Sequence, residues 1–88
     1  MFSSSKSITS PHDFNQRFTN NFVELLNKIN SNVYITTIDR RVNAKSVLGL
    51  LSLSIKQDDV IRIDILSSES VEKAQDDLYK VLELIEVT

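Results

Sequence analysis

The chain has 88 residues, of which 41% are hydrophobic and 25% charged, a composition that indicates one packed domain rather than a disordered segment. The net charge of −2 gives no general attraction to nucleic acid or to anionic lipid, so we expect neither class of partner. With no cysteine, one histidine and one glycine, the chain cannot form disulfides, thiolate metal sites or glycine-rich phosphate loops. We therefore expect a cytoplasmic domain that holds no metal or cofactor and is not an enzyme.

The N-terminal part of the chain predicts a strand followed by a helix. Phe2 and Ile8 lie on one face of a strand, but the residues between them on that face are polar, which predicts a weak edge strand. Ser10 is predicted to cap the helix, Pro11 to occupy its first position and Asp13 to follow three residues after the cap. Its apolar stripe recurs at steps of four, four, three and four and comprises Phe14, Phe18, Phe22, Leu25 and Ile29.

The central part of the chain predicts two strands, a short helix and a third strand. Residues Val33 to Ile38 are β-branched or aromatic, and Arg41 to Ala44 are placed to return beside them. Ser46 precedes an apolar run with helical spacing, which predicts a short helix with Ser46 as its N-cap. Isoleucines then alternate with charged residues over Ile61 to Ile65, the pattern of a half-buried strand.

A last helix completes the predicted order β-α-β-β-α-β-α in one domain, residues 1–88. Ser67 to Ser70 should cap it, and its apolar positions are Val71, Ala74, Leu78, Val81 and Ile85. We predict the α+β class: a four-stranded, mainly antiparallel sheet with three helices on one face and its other face open to water. Because a weakly held edge strand favours exchange between chains, both a monomer and a strand-exchanged dimer stay open.

The segment RVNAKSVLGLLSLSIKQDDVIRI, Arg41 to Ile63, resembles the signature of the HPr family, the small phosphocarrier proteins of the bacterial sugar phosphotransferase system. Val42-Asn43-Ala44-Lys45-Ser46, Gly49 and Ser52-Leu53 match the regulatory-serine region of that family residue by residue. The resemblance runs without gaps from about residue 10 to the C-terminus. It implies the HPr fold, an open-faced β-sandwich with the element order given above.

The same alignment changes the family's active site. The family's loop G-I/L-H-A-R-P falls on Asp13-Phe14-Asn15-Gln16-Arg17-Phe18, so Asn15 stands where the family has its phosphorylated histidine and Arg17 matches the arginine. An amide cannot form a phosphoramidate, and the carboxylate of Asp13 would repel an incoming phosphoryl group. The resemblance therefore implies a protein without histidine phosphotransfer, similar to the catabolite-repression HPr paralogues.

His12 is the only histidine that remains available for phosphotransfer. Placed near a helix N-terminus, it would meet backbone N–H groups that favour an anion. We favour the simpler interpretation, an exposed side chain in the first turn of the predicted helix. A phosphocarrier that uses His12 is kept as the alternative.

Ser46 is the second site that the resemblance implies. In the family, this serine is phosphorylated from ATP by a dedicated HPr kinase/phosphorylase, and a phosphate is compatible with the start of a helix. The family's exposed apolar docking patch lies on the short helix that follows, with basic residues at its rim. In this sequence the predicted partner-binding residues are Arg17, Lys45, Val47, Leu48 and Leu51.

The partners that the resemblance implies are the kinase/phosphorylase, a LacI-type catabolite regulator and phosphotransferase-system proteins such as enzyme I and the IIA domains. The leading hypothesis is a regulatory binding module that signals through Ser46. Two alternatives are a phosphocarrier that uses His12 and a divergent HPr-fold protein with an unrelated partner.

Overall fold

The computed structural model describes all 88 residues, and the observed order of elements is the predicted one. The α+β class and the four-stranded sheet are confirmed, and every neighbouring pair of strands in the order β1-β4-β2-β3 is antiparallel. No helix combines the length and the apolar composition that a membrane-spanning segment requires. The elements are β1 (Phe2–Thr9), α1 (Gln16–Leu26), β2 (Asn32–Thr36), β3 (Arg41–Asn43), α2 (Val47–Ser52), β4 (Val60–Ser67) and α3 (Val71–Val87).

The hydrophobic core lies between the helices and one face of the sheet. The alternation predicted for β4 places its isoleucines on this face, where they are fully buried, while Arg62 points to the open face. Each helix contributes the apolar side of its surface, and Leu50 is the only buried residue of α2. The fully buried members from the helices and β4 include Phe22, Leu26, Leu50, Ile61, Ile63, Ile65, Val81 and Ile85.

The weak first strand is confirmed, and backbone pairing explains how it forms. All eight residues of β1 pair with β4, from Phe2 opposite Ser67 to Thr9 opposite Val60. Its side chains are mostly exposed, with Ile8 only half-buried. The strand is therefore held by its hydrogen-bond ladder to a central strand more than by apolar burial.

The predicted start of the first helix was wrong. Ser10 and Pro11 precede α1, which begins at Gln16 with Asn15 as its N-cap. Asn15 has an extended backbone, and its Oδ1 accepts a hydrogen bond from the N–H of Phe18 at 2.8 Å. Asn15 thus has the capping geometry that the sequence pattern assigned to Ser10.

The segment before Asn15 is not helical because its polar groups are bonded to residues 55–59. The N–H of Ser10 donates to the carbonyl of Asp59, and its own carbonyl accepts from the N–H of Asp58, both at 2.8 Å. The N–H of Phe14 donates to the carbonyl of Ile55 at 2.9 Å, so this backbone group is unavailable for a helical turn. Phe14 still packs in the core, which explains why it extends the helical stripe without belonging to the helix.

The other predicted caps are confirmed. Ser46 caps α2 and Ser70 caps α3, each accepting a hydrogen bond from the N–H three residues later at 3.0 Å. The strand predicted over Val33 to Ile38 ends earlier, at Thr36, because the chain turns there and the N–H of Thr37 donates to the carbonyl of Arg40. Ile38 lies in this turn and is fully exposed rather than part of a strand.

The open face of the sheet carries one buried carboxylate, that of Asp64 on β4. It accepts hydrogen bonds from Ser5 at 2.6 Å and Thr36 at 3.1 Å, and Arg62 forms an ion pair with it at 3.0 Å. Burial alone would raise the pKa of the Asp64 carboxyl, but these hydrogen bonds and the Arg62 charge outweigh burial and lower it. The ionised carboxylate thus links three neighbouring strands.

Replacing Asn15 tests the observed start of α1. Asn15→Ala should lower the free energy of unfolding by about 1 kcal/mol, because it removes the acceptor for the Phe18 N–H, whereas Asn15→Asp should retain most of it. Asn20→Ala, on the exposed side of α1, is the matched control and should not destabilise the protein. Urea unfolding measures all three, and an Asn15→Ala variant as stable as the wild type would contradict the cap.

Asp64 should contribute to the acid sensitivity of the fold. Because its folded pKa is lowered, its stabilisation is present above the unfolded pKa and is lost as the pH falls through the folded one. Asp64→Asn should therefore be less stable than the wild type at neutral pH, and its stability should fall less on acidification to about pH 2. Asp76→Asn, which changes an exposed carboxylate on α3, is the control. The urea midpoints of each variant at both pH values measure how much stability is lost on acidification. An unchanged acid loss in Asp64→Asn would refute this role.

Candidate functional site

The predicted site residues lie on two packed elements, the start of α1 and the whole of α2. Asn15 and Arg17 lie at the beginning of α1, and Ser46 lies at the beginning of α2. The segment after α2 returns to the loop before α1 through the hydrogen bond between Phe14 and Ile55. Fold topology therefore brings two sequence-distant motifs onto one part of the surface.

Asn15 is exposed at the N-terminus of α1, and its side chain is hydrogen-bonded to the helix backbone. Asp13, two residues earlier, is also exposed, and its Oδ1 accepts a hydrogen bond from the N–H of Gln57 at 2.7 Å. The loop therefore presents an amide and a carboxylate at the helix start. Neither group is a nucleophile suited to form a phosphoramidate.

His12 does not lie in a helical turn, contrary to the sequence-based expectation. It is half-buried, with its Nε2 3.3 Å from the carbonyl oxygen of Glu86 near the end of α3. Its ring lies 5.0 Å from the ring of Phe18, and its carbonyl accepts a hydrogen bond from the hydroxyl of Ser10 at 2.7 Å. These contacts fasten the loop to α3, a packing role that nothing in the sequence pattern indicated.

Ser46 has the geometry of a helix cap with a partly accessible hydroxyl. Its backbone is extended, its side chain is half-buried, and its Oγ accepts a hydrogen bond from the N–H of Gly49 at 3.0 Å. A Cβ at position 49 would lie 3.1 Å from this Oγ and 3.4 Å from the Cβ of Val42. The absence of a side chain at Gly49 therefore leaves room around the Ser46 hydroxyl.

The apolar residues of α2 divide into a core side and a surface side. Leu50 is fully buried, whereas Leu48 is 81% exposed. Val47 and Leu51 are half-buried and border Leu48 along the helix. We refer to Val47, Leu48 and Leu51 as the α2 patch.

The basic residues on and near α2 differ in whether their cationic groups have a bonding partner. Arg17 is exposed and takes part in no ion pair or hydrogen bond with other side chains. The Nζ of Lys45 donates to the carbonyl of Ile29 just beyond α1, and the guanidinium of Arg40 donates to the carbonyl of Ser52 at 3.1 Å. Lys45 and Arg40 thus bond neighbouring backbone at the two ends of α2, a role that the sequence pattern did not reveal.

The site contains no arrangement suited to a metal ion. Nowhere in the chain do three or more histidine, aspartate or glutamate side chains converge in a way that could hold one. The groups that the site does offer are an amide, a hydroxyl, a guanidinium and an apolar patch. This set is suited to recognition and to modification of the hydroxyl.

Comparison with known proteins gives matches over most of the chain. The sequence family described as the PTS HPr component phosphorylation site matches residues 3–84. The phosphocarrier protein HPr of Xylella fastidiosa strain Temecula1 is 36% identical over 58 residues, which cover 66% of this chain and 65% of that protein. The aligned part thus spans slightly less than two thirds of the length of this relative.

Two solved structures share the fold. The crystal structure of a phosphocarrier protein HPr from Bacillus anthracis strain Ames superposes with a TM-score of 0.74 and 26% identity, over 90% of this chain and 95% of that one. The catabolite repression containing protein Crh of Bacillus subtilis, described as a domain-swapped dimer, superposes with a TM-score of 0.71. Its identity is 24% over 92% of this chain and 88% of that one, which supports a common fold.

The family match and the structural matches agree with the residue pattern from Arg41 to Ile63, and they confirm the resemblance stated from the sequence. This chain belongs to the HPr family of the sugar phosphotransferase system.

Proposed function

We propose that this chain is a regulatory binding protein of the phosphotransferase system, which does not transfer phosphate through a histidine and is regulated by phosphorylation of Ser46. One observation carries the proposal. Asn15, aligned with the family's phosphorylated histidine, is the N-cap of α1 and is bonded through its Oδ1 to the N–H of Phe18. Asn15 therefore stabilises the start of α1, but its side chain lacks the nucleophilic nitrogen of a histidine.

The chemistry of Asn15 opposes phosphotransfer. The nitrogen lone pair of an amide is delocalised into its carbonyl, so it is a poor nucleophile compared with an imidazole nitrogen. The exposed carboxylate of Asp13 adds negative charge to the same loop and disfavours the approach of a phosphoryl group. We therefore expect no phosphoryl transfer through residue 15.

His12 is poorly placed to replace the missing histidine. Its Nε2 faces the carbonyl oxygen of Glu86 at 3.3 Å, and its ring packs against Phe18. Using this nitrogen as a phosphate acceptor requires the loop to separate from the end of α3. Because phosphoryl transfer depends on close alignment of the reacting atoms, this arrangement favours a packing role for His12.

Ser46 offers a hydroxyl at a position where added charge changes the neighbouring surface. A phosphate there adds about −1.5 to −2 charges next to the α2 patch. The exposed Leu48 offers an apolar anchor, while Arg17 offers the free cation on the neighbouring helix. Phosphorylation should thus disfavour acidic partners of this surface and favour basic ones.

We propose that the partner surface comprises Arg17, Lys45, Val47, Leu48 and Leu51. Leu48 is its exposed centre, and Lys45 contributes its side-chain stem because its ammonium is bonded to the carbonyl of Ile29. The proposed partners are HPr kinase/phosphorylase and a LacI-type catabolite regulator or other phosphotransferase-system proteins. All of these act in the cytoplasm, where we place this protein as well.

Phosphorylation from ATP tests the regulatory half of the proposal. Incubation with HPr kinase/phosphorylase and ATP should add one phosphate, located on Ser46 by fragmentation mass spectrometry, because this hydroxyl lies at the start of the helix that carries the α2 patch. Ser46→Ala should take up none, and Ser52→Ala, an exposed serine of the same helix, should be modified at the wild-type rate. Circular dichroism checks that Ser46→Ala is folded, since loss of the cap costs about 1 kcal/mol.

A second variant separates docking from folding. The free energy of unfolding of Leu48→Ala, measured with urea, should equal that of the wild type within about 0.5 kcal/mol, because Leu48 is largely exposed. Its rate of phosphorylation should nevertheless fall about tenfold at limiting substrate, as expected when an interface anchor is truncated. Phosphate on another residue, or none on Ser46, would remove the regulatory claim.

A further inference from the structure

A second concave surface lies between the end of α1 and α3. It is a groove of about 310 Å³, close to the lower end of the size range of small-molecule sites. Its apolar lining comes from Leu25, Ile29 and Leu84, and three lysines also line it: Lys28, Lys73 and Lys80. None of the residues proposed above for docking or for phosphorylation lines this groove, so it is a separate feature of the molecule.

A buried carboxylate organises two of these lysines. Asp77 on α3 is only 1% exposed, and its Oδ2 accepts a hydrogen bond from the hydroxyl of Ser31. Its Oδ1 accepts no hydrogen bond but lies 3.3 Å from the Nζ of Lys73 and 3.8 Å from the Nζ of Lys80. A buried charge is tolerated only when it is compensated, so Asp77 holds both ammonium groups at the groove.

The charge at the groove differs in sign from that of the whole chain. Three lysines and two acids, Asp77 and Glu83, line it, which gives a local charge of +1, whereas the chain as a whole has −2. The Asp77 charge is buried beneath the ammonium groups, and the side chain of Lys80 is 60% exposed. The accessible surface therefore presents cations above an apolar lining.

We propose that this groove binds a small organic phosphate. Its phosphoryl oxygens would contact the ammonium groups of Lys28, Lys73 and Lys80, and its organic part would pack on Leu25, Ile29 and Leu84. Lysine binds phosphate as a point charge, and the contact with Asp77 reduces the entropy lost when Lys73 and Lys80 are ordered. Glu83 opposes the anion, so it should weaken the site.

Titration with phenyl phosphate at constant ionic strength, followed by ¹H–¹⁵N NMR, tests the proposal. The largest shifts should come from the amides at and just beyond the end of α1 and from α3 between Lys73 and Leu84. Lys80→Gln should raise the Kd about threefold to tenfold, and Glu83→Gln should lower it by a similar factor. Lys56→Gln, an exposed lysine outside the groove, is the matched control and should leave the Kd unchanged.

Inorganic phosphate and benzoate separate the two parts of the ligand. Both should bind more weakly than phenyl phosphate, the first because it lacks the apolar body and the second because it carries a single charge. Equal weakening by Lys56→Gln, shifts centred on Asn15 or Ser46, or the absence of saturable shifts would overturn the proposal. Thermal unfolding of Lys80→Gln confirms that a change in Kd does not reflect a change in fold.

Discussion

The backbone pairing between the loop before α1 and the segment after α2 determines the shape of the whole candidate surface. Ser10 exchanges two hydrogen bonds with Asp58 and Asp59, and Phe14 donates one to Ile55. These bonds stop the helix from extending towards Ser10 and leave Asn15 as the residue at its start. They also join the start of α1 to the end of α2, so that the amide position and the docking helix belong to one surface.

Charge is used at this surface mainly to hold elements together. The ammonium group of Lys45, just before α2, donates a hydrogen bond to the carbonyl of Ile29 in the loop after α1. The guanidinium of Arg40 donates to the last carbonyl of α2, that of Ser52. Arg17 alone among them is exposed without a partner. A partner that docks on α2, as we propose, would meet the exposed Leu48 and, on the neighbouring helix, the free guanidinium of Arg17. A phosphate on Ser46 would change the charge balance of this surface.

Periodic patterns predicted the elements well because the core is one-sided. The alternation in β4 and the serine caps at Ser46 and Ser70 were predicted correctly, since each depends on residues close in sequence. The start of α1 was predicted wrongly because the competing bonds come from residues 55–59, about 45 positions later. The contact of His12 with Glu86 escaped prediction for the same reason, since it joins residues 74 positions apart.

The central claim is that the fold of a phosphocarrier is kept while the histidine step is absent. Labelling with enzyme I and phosphoenolpyruvate tests it most directly, with Asn15→His as the variant that restores the acceptor. The account predicts no acid-labile phosphate on the wild type and a label on Asn15→His. An acid-labile label on the wild type that His12→Ala abolishes would contradict it.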